Sequence, residues 1–313
     1  MSATLTPSAG STRSSAVTAR HLARATATRQ QRSARFKLWA GAVCTALVAL
    51  PVALASLLPL PDPDAQNLAG RRVPPLTDGH LFGTDQLGRD LLSRVLHGGQ
   101  VSLTVGILAV VVSGLIGIAA GSAAGYFGGW IDTVVSRLLE AQLALPLLMM
   151  LLLVVALFGP SVTVITCVIA IAQWPEVARL TRSLVLVERE KPYVAAARLL
   201  GMRSWSVLGR HIIPNVLRPA SLVVLLLLAQ AVLLESALSF LGAGPQRPFA
   251  TWGRIISDGQ DYITTSWWLV TLPGLVIALL VVGVNLMGDG LRDRIRTSKT
   301  TKTTETTKPA KGA

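Results

Sequence analysis

The chain is short of charge. Only 14% of its 313 residues are Asp, Glu, Lys or Arg, against 51% hydrophobic, which is too little to cover the surface of a soluble protein. Acids are the scarcer sign, 16 against 29 Lys and Arg, for a net charge of +13. Cysteine is nearly absent: Cys44 and Cys167 both lie in apolar runs, exclude a disulfide framework and read as small core residues. Aromatics amount to 5% and do not alternate with basic residues, so no base-stacking surface is expected. The chain has no G-x-x-x-x-G-K-[ST], no H-E-x-x-H, no paired Cys-x-x-Cys and no G-x-S-x-G, which removes the nucleotide, metal and nucleophile-elbow readings. His21, His80, His97 and His211 are scattered and read as surface or interface residues. No catalytic residue, metal or cofactor is therefore assigned to this chain, and any work it does must be driven from another subunit.

What it has is apolar length. A helix needs about 20 apolar residues to cross a bilayer, and six segments qualify: 38–60, 101–125, 137–158, 161–181, 217–242 and 267–288. The fourth weakens at Gln173, Trp174 and Pro175. None alternates like a barrel strand, and hydrocarbon leaves no partner for an open backbone, so an all-α protein with six transmembrane helices is predicted. The basic leader is too long, and the first apolar run too extended, for a cleaved signal; a retained anchor is expected. Lys and Arg number seven in 1–37, one near 128–137, eight in 179–218 and seven from 289 onward, 23 on one side; the 61–100 and 243–266 loops carry six on the other. By the positive-inside rule both termini and the 179–218 loop are cytoplasmic. The positive charge then reflects topology and anionic lipid, without nucleic acid. The polar stretches 1–35 and 297–313 read as disordered.

Within the spans, Gly117, Gly121 and Gly125 recur every four residues, with Gly114 just before. Such a stripe lets another helix approach closely; tight packing within the bundle and a helix that slides during a cycle are the two readings. Glu235 lies near the outer end of the fifth span, as a structural acid or as a residue of a path or interface. Glu140 and Glu176 lie toward cytoplasmic ends, and Asp289, Arg292 and Asp293 are expected to pair locally. Asp85 and Arg89, four apart, read as an ion pair on a helix face.

One basic segment interrupts the apolar runs: "YVAAARLLGMRSWSVLGRHIIPN", 193–215. Pro192 suits a first helical turn. Tyr193, Ala196, Ala197 and Leu200 fall on one face. Gly201 is placed to stop the helix, Ser204 to cap a second one, and Pro214 to break it. A helix-turn-helix standing out of the membrane is predicted; a helix lying on the lipid surface is the alternative.

This segment resembles the coupling loop of ABC-transporter permeases, whose pattern is Glu-Ala-Ala, three residues, Gly, nine residues, Ile-x-Leu-Pro. Here Ala195-Ala196-Ala197 is followed by Gly201 and then by His211-Ile212-Ile213-Pro214, with Ala195 in place of the Glu. "FGTDQLGRDLLSRVLHGGQVSLTVG", "ESALSFLGAGPQRPFATWGRII" and "WWLVTLPGLVIALLVVGVNLMGDGLRDRI" are similar to stretches of dipeptide, oligopeptide and nickel permeases, nearest the C-type subunit.

The resemblance implies a type I ABC importer permease fold in a bacterial plasma (inner) membrane. It implies a cytoplasmic tail at 1–37, a first helix and extracytoplasmic segment at 38–100, a core at 101–290 with its coupling loop at 182–216, and a tail at 291–313. Tyr193, Ala195, Ala196, Ala197, Arg198, Gly201, His211 and Pro214 would contact an ATPase. Partners would be a homologous second permease, two ATPase subunits that bind the ATP and Mg, an extracytoplasmic solute-binding protein, and lipid. The solute would be a peptide, nickel or a related small solute. An ATP-independent carrier or channel would need repeated halves, which the sequence does not show; a membrane-anchored scaffold is a third reading.

Overall fold

The computed structural model describes residues 32–246 and 250–306, with side chains to Arg294. Ten helices are labelled here: α1 (Arg32–Ala53), α2 (Leu91–Phe127), α3 (Gly129–Leu143), α4 (Leu147–Phe158), α5 (Val162–Arg189), α6 (Pro192–Leu199), α7 (Ser204–Val207), α8 (Ile213–Phe240), α9 (Trp252–Gly259) and α10 (Trp268–Thr306). The described residues contain no strand, only two isolated bridges, Thr77 with His80 and Thr84 with Asp90.

Among the described residues, five helices are long and apolar enough to cross a membrane: α1, α2, α5, the continuous stretch Ser204–Phe240, and α10 over Trp268–Arg294. The expected third span, 137–158, is not one helix. It is the pair α3 and α4, bent by 91° at Ala144–Pro146. Pro146 has no N–H to continue the ladder and biases Leu145 away from helical angles, so the helix stops where hydropathy alone reads straight through.

Other boundaries also move. Helix is already present at Arg32, inside the stretch read as disordered, and α10 runs to Thr306, into the 297–313 stretch read the same way. Extending an existing helix costs far less than nucleating one, so a membrane span carries helix into polar flanks. The remainder of both tails, 1–31 and 307–313, lies outside the described residues. Asp293 does not pair only with its neighbours on α10; it accepts from Lys37 Nζ of α1 at 2.8 Å.

Caps mark the starts. Asp90 accepts from the Ser93 N–H at 2.8 Å to open α2, Ser161 from Val164 at 3.2 Å to open α5, and Thr251 from Arg254 at 3.3 Å to open α9. Two apolar cores run through the bundle. One gathers Val52, Leu91, Val95, Val232, Trp252 and Leu269 where α9 closes one end. The other joins Val105, Ala109, Leu151, Ile165, Ile169 and Leu227 in the middle. A third, small cluster sits at the opposite end and carries the site described next.

Candidate coupling site

α6 begins at Pro192, whose missing N–H would be unpaired there anyway. It ends at Gly201, φ 77°, where Gly201 N–H donates to the Arg198 carbonyl at 3.0 Å and Met202 N–H to the Ala197 carbonyl at 3.2 Å. These two bonds form a Schellman closure, which needs a left-handed residue at that position. The chain then turns back into α7. Arg203 occupies the N-cap position without a side-chain bond, so Ser204 is the first helical residue and not the cap.

Pro214 does not break the second helix either. A π turn over Leu208–Ile212 precedes it, and Pro214 falls in the first turn of α8. A proline N has no hydrogen to offer, and the wider π turn, placed just before, lets the chain pass it without stopping. The fifth span therefore grows directly out of the knob.

α6 packs on the bundle by a narrow face. Val194 and Ala197 are buried, while Tyr193, Ala195, Ala196, Leu199 and Leu200 are exposed. Of the four residues read as lining one face, Tyr193, Ala196 and Leu200 are exposed and Ala197 turns inward. Val194 and Ala197 join Val207, Leu208, Ile212 and Val216, together with Tyr126 from α2 and Val185 from α5. What remains outside is apolar: Leu199 is 89% exposed, Leu200 84% and Trp205 69%.

Polar contacts fasten the knob. Tyr193 Oη donates to Glu188 Oε1 of α5 at 2.6 Å and accepts from Asn215 Nδ2 of α8 at 3.2 Å. Partial burial, reinforced by the adjacent Glu188 carboxylate, pushes the Tyr193 phenol above its ordinary range. Asn215 also donates to the His211 carbonyl at 2.9 Å, so His211 contributes its backbone here. Arg189 donates to the Gly125 carbonyl at 2.9 Å, near the end of α2. The Arg198 guanidinium stands 5.2 Å from the Tyr126 ring, and Phe127 and Trp205 meet at 4.5 Å. Thus α2, α5 and α8 all hold one small body.

The glycine stripe lies between α2 and α5. A Cβ added at Gly117 would come within 2.5 Å of Val177 Cβ, and one at Gly125 within 2.8 Å of the Arg182 carbonyl; at Gly121 it would strike the Ala178 carbonyl. In this conformation the stripe packs against the chain's own α5. Glu235 is fully buried on α8, with Oε1 accepting from Ser239 Oγ at 2.6 Å. Its surroundings are α2 and the start of α9, and it does not open onto a path here.

At the α9 end, a cluster appears that sequence reading treated as a surface pair. Asp85 lies in a loop and not on a helix. It accepts from Arg89 Nε at 2.7 Å, from Arg94 Nη1 at 2.6 Å, and from the Leu87 and Arg89 N–H groups. All three charged side chains are at most 4% exposed. Arg94 also approaches Asp258 at 3.6 Å, which links the loop to α9. A run of acid and arginine within ten residues, spanning the cap of α2, was the signal available; its burial was not. Among the described residues no cluster of metal-ligating side chains occurs.

Comparison with known proteins bears on this arrangement. Residues 117–297 match the family described as binding-protein-dependent transport system inner membrane component. A di/tripeptide transport system permease of Pseudomonas aeruginosa is 42% identical over 215 residues, 69% of this chain and 71% of that protein. A dipeptide transport system permease of Haemophilus influenzae is 36% identical over 270 residues, 83% of this chain and 91% of that protein. The fold is that of a solved inward-facing structure of the MetNI methionine ABC transporter, with a TM-score of 0.52 at 16% identity, covering 64% of this chain and 95% of that one.

Proposed function

This chain belongs to the family of binding-protein-dependent transport system inner membrane components, and from that premise we propose that it forms half of a path for peptides through a bacterial plasma membrane. It is a permease subunit of an ABC importer. The peptide assignment draws support from the relatives, which are named for dipeptide and tripeptide transport.

In this reading both termini and the knob face the cytoplasm, because 23 of the 29 Lys and Arg fall on that side. A homologous permease completes the path, and one ATPase subunit meets each knob. ATP and Mg are held by those subunits, and an extracytoplasmic receptor delivers the peptide. Closure of the ATPases on ATP displaces α6; the bundle then exchanges inward-open and outward-open states, two arrangements whose balance the nucleotide sets.

One observation carries the coupling role. Leu199 and Leu200, and most of the Trp205 ring beside its contact with Phe127, are left exposed on a body fastened to three helices. Large apolar side chains held in water on a rigid mount suit a soluble protein partner. The missing motif Glu at Ala195 removes one polar contact from that exposed face and leaves the apolar contacts. The test is Trp205→Ala with Leu199→Asp in cells carrying the whole transporter. The expected result is loss of ATPase co-purification and of radiolabelled dipeptide uptake, with membrane insertion unchanged. Wild-type uptake by the variant would overturn the coupling role, and nickel uptake in place of peptide would overturn the solute.

A further inference from the structure

Pro175 lies inside α5. It has no N–H, so the Ile171 carbonyl, four residues earlier, loses its helical donor. At membrane depth a bare carbonyl is costly and needs another partner. The structure provides one from a different helix. Gln142, second from the end of α3, donates from Nε2 to the Ile171 carbonyl at 2.6 Å and to the Ala172 carbonyl at 3.3 Å. Its Oε1 accepts from Trp174 Nε1 at 2.9 Å. The amide orientation is settled by its neighbours: a carbonyl only accepts and an indole N–H only donates.

Two residues after Gln142 the chain breaks and turns through 91° into α4. At the same α5 turn, Gly117 of α2 lies against the Trp174 carbonyl, where an added Cβ would be 2.9 Å away. The gap in the α5 ladder and the break between α3 and α4 are therefore bridged by a single side chain.

We propose that Gln142 is a positioning residue for transport: by standing in for the donor that Pro175 lacks, it holds the broken span in its bent form, so that the break and the proline turn move as one hinge. The transport part of this rests on the permease reading; the hinge itself does not. Straightening the 129–158 span withdraws the Gln142 amide and uncovers the Ile171 carbonyl, which returns the span toward the bent state.

The test uses the assembled transporter with Cys44 and Cys167 replaced by Ser and spin labels at Val134 of α3 and Met149 of α4, both exposed positions. Gln142→Leu keeps the bulk and removes all three bonds. It should lengthen and broaden the distance between the labels and lower transport by about tenfold, the scale of one or two hydrogen bonds left unmade. Pro175→Ala restores an N–H for Ile171. On that background Gln142→Leu should cost no more than about twofold relative to Pro175→Ala alone, a rescue that simple packing at position 142 would not produce. An unchanged distance, or the same loss in both backgrounds, overturns the proposal. Should Gln142→Leu alone fail to assemble, assembly regained with Pro175→Ala supports it and failure of both overturns it. The distance is read without solute, so its outcome is separate from that of the peptide assignment.

Discussion

Asp85 illustrates what residue types at a given spacing reveal and what they conceal. Its position four residues before Arg89 has the spacing of a helix-surface pair, an interaction usually worth a few tenths of a kcal/mol. The structure buries both in a loop and adds Arg94. Burial changes the sign of the problem, since removing one partner leaves charges in a poorly solvating site. Asp85→Ala is expected to destabilise the folded chain by about 3–5 kcal/mol, read as a lowered thermal unfolding midpoint of the purified complex; a shift equal to that of an exposed-site control would contradict the burial. Nothing in the spacing distinguished the cases, because a loop has no period from which a buried face can be read. Tyr193 has a role in the knob that its helical spacing does not reveal. It fastens α6 through its hydroxyl to Glu188 and Asn215, a role set by residues from other helices.

At the scale of the element, the existence of the helices was legible and their ends were not. Apolar length reports the thickness of the hydrocarbon, and helices here outrun it: α2 begins ten residues before the predicted span and the stretch feeding α8 thirteen before. The broken third span was readable only by weighting Pro146 above the hydropathy around it. The stop of α6 was the firmest local reading, since Gly201 adopts the φ of 77° that its position requires. Gly201→Val forces a β-branched residue into that region at a cost of about 1–3 kcal/mol, concentrated where the knob turns. The expected outcome is normal membrane insertion with loss of solute uptake and of receptor-stimulated ATP hydrolysis, checked by fractionation and reconstitution. Full uptake by the well-expressed variant would argue that the turn is not part of the coupling body.

For the whole molecule, resemblance along the chain carried the function, and elementary physics carried the fold class. Charge asymmetry is the basis for proposing cytoplasmic termini; the folded chain adds that α6 lies at the bundle end opposite α9. Reporters fused at either terminus should be active only in their cytoplasmic form, while one inserted near Asp78, in the 61–90 segment, should be active only when exported. The reverse pattern would turn the bundle over and remove the knob from any ATPase. How α3, α4 and α5 are joined was illegible at this scale, because Gln142 and Pro175 lie 33 residues apart and no local pattern links them.

α2 has one further consequence. Its 37 residues contain no proline, whereas α5, α8 and α10 each hold one beyond the first turn, Pro175, Pro219 and Pro273. At 1.5 Å per residue it is about 55 Å long, far more than a bilayer core needs. It starts at the cap beside the Asp85 cluster and finishes at Tyr126 and Phe127, against Arg198 and Trp205. A beam of that length ties its two tips by geometry alone, so under the proposed coupling a push on the knob would swing the Asp85 end like a rocker arm, without a chain of intermediaries.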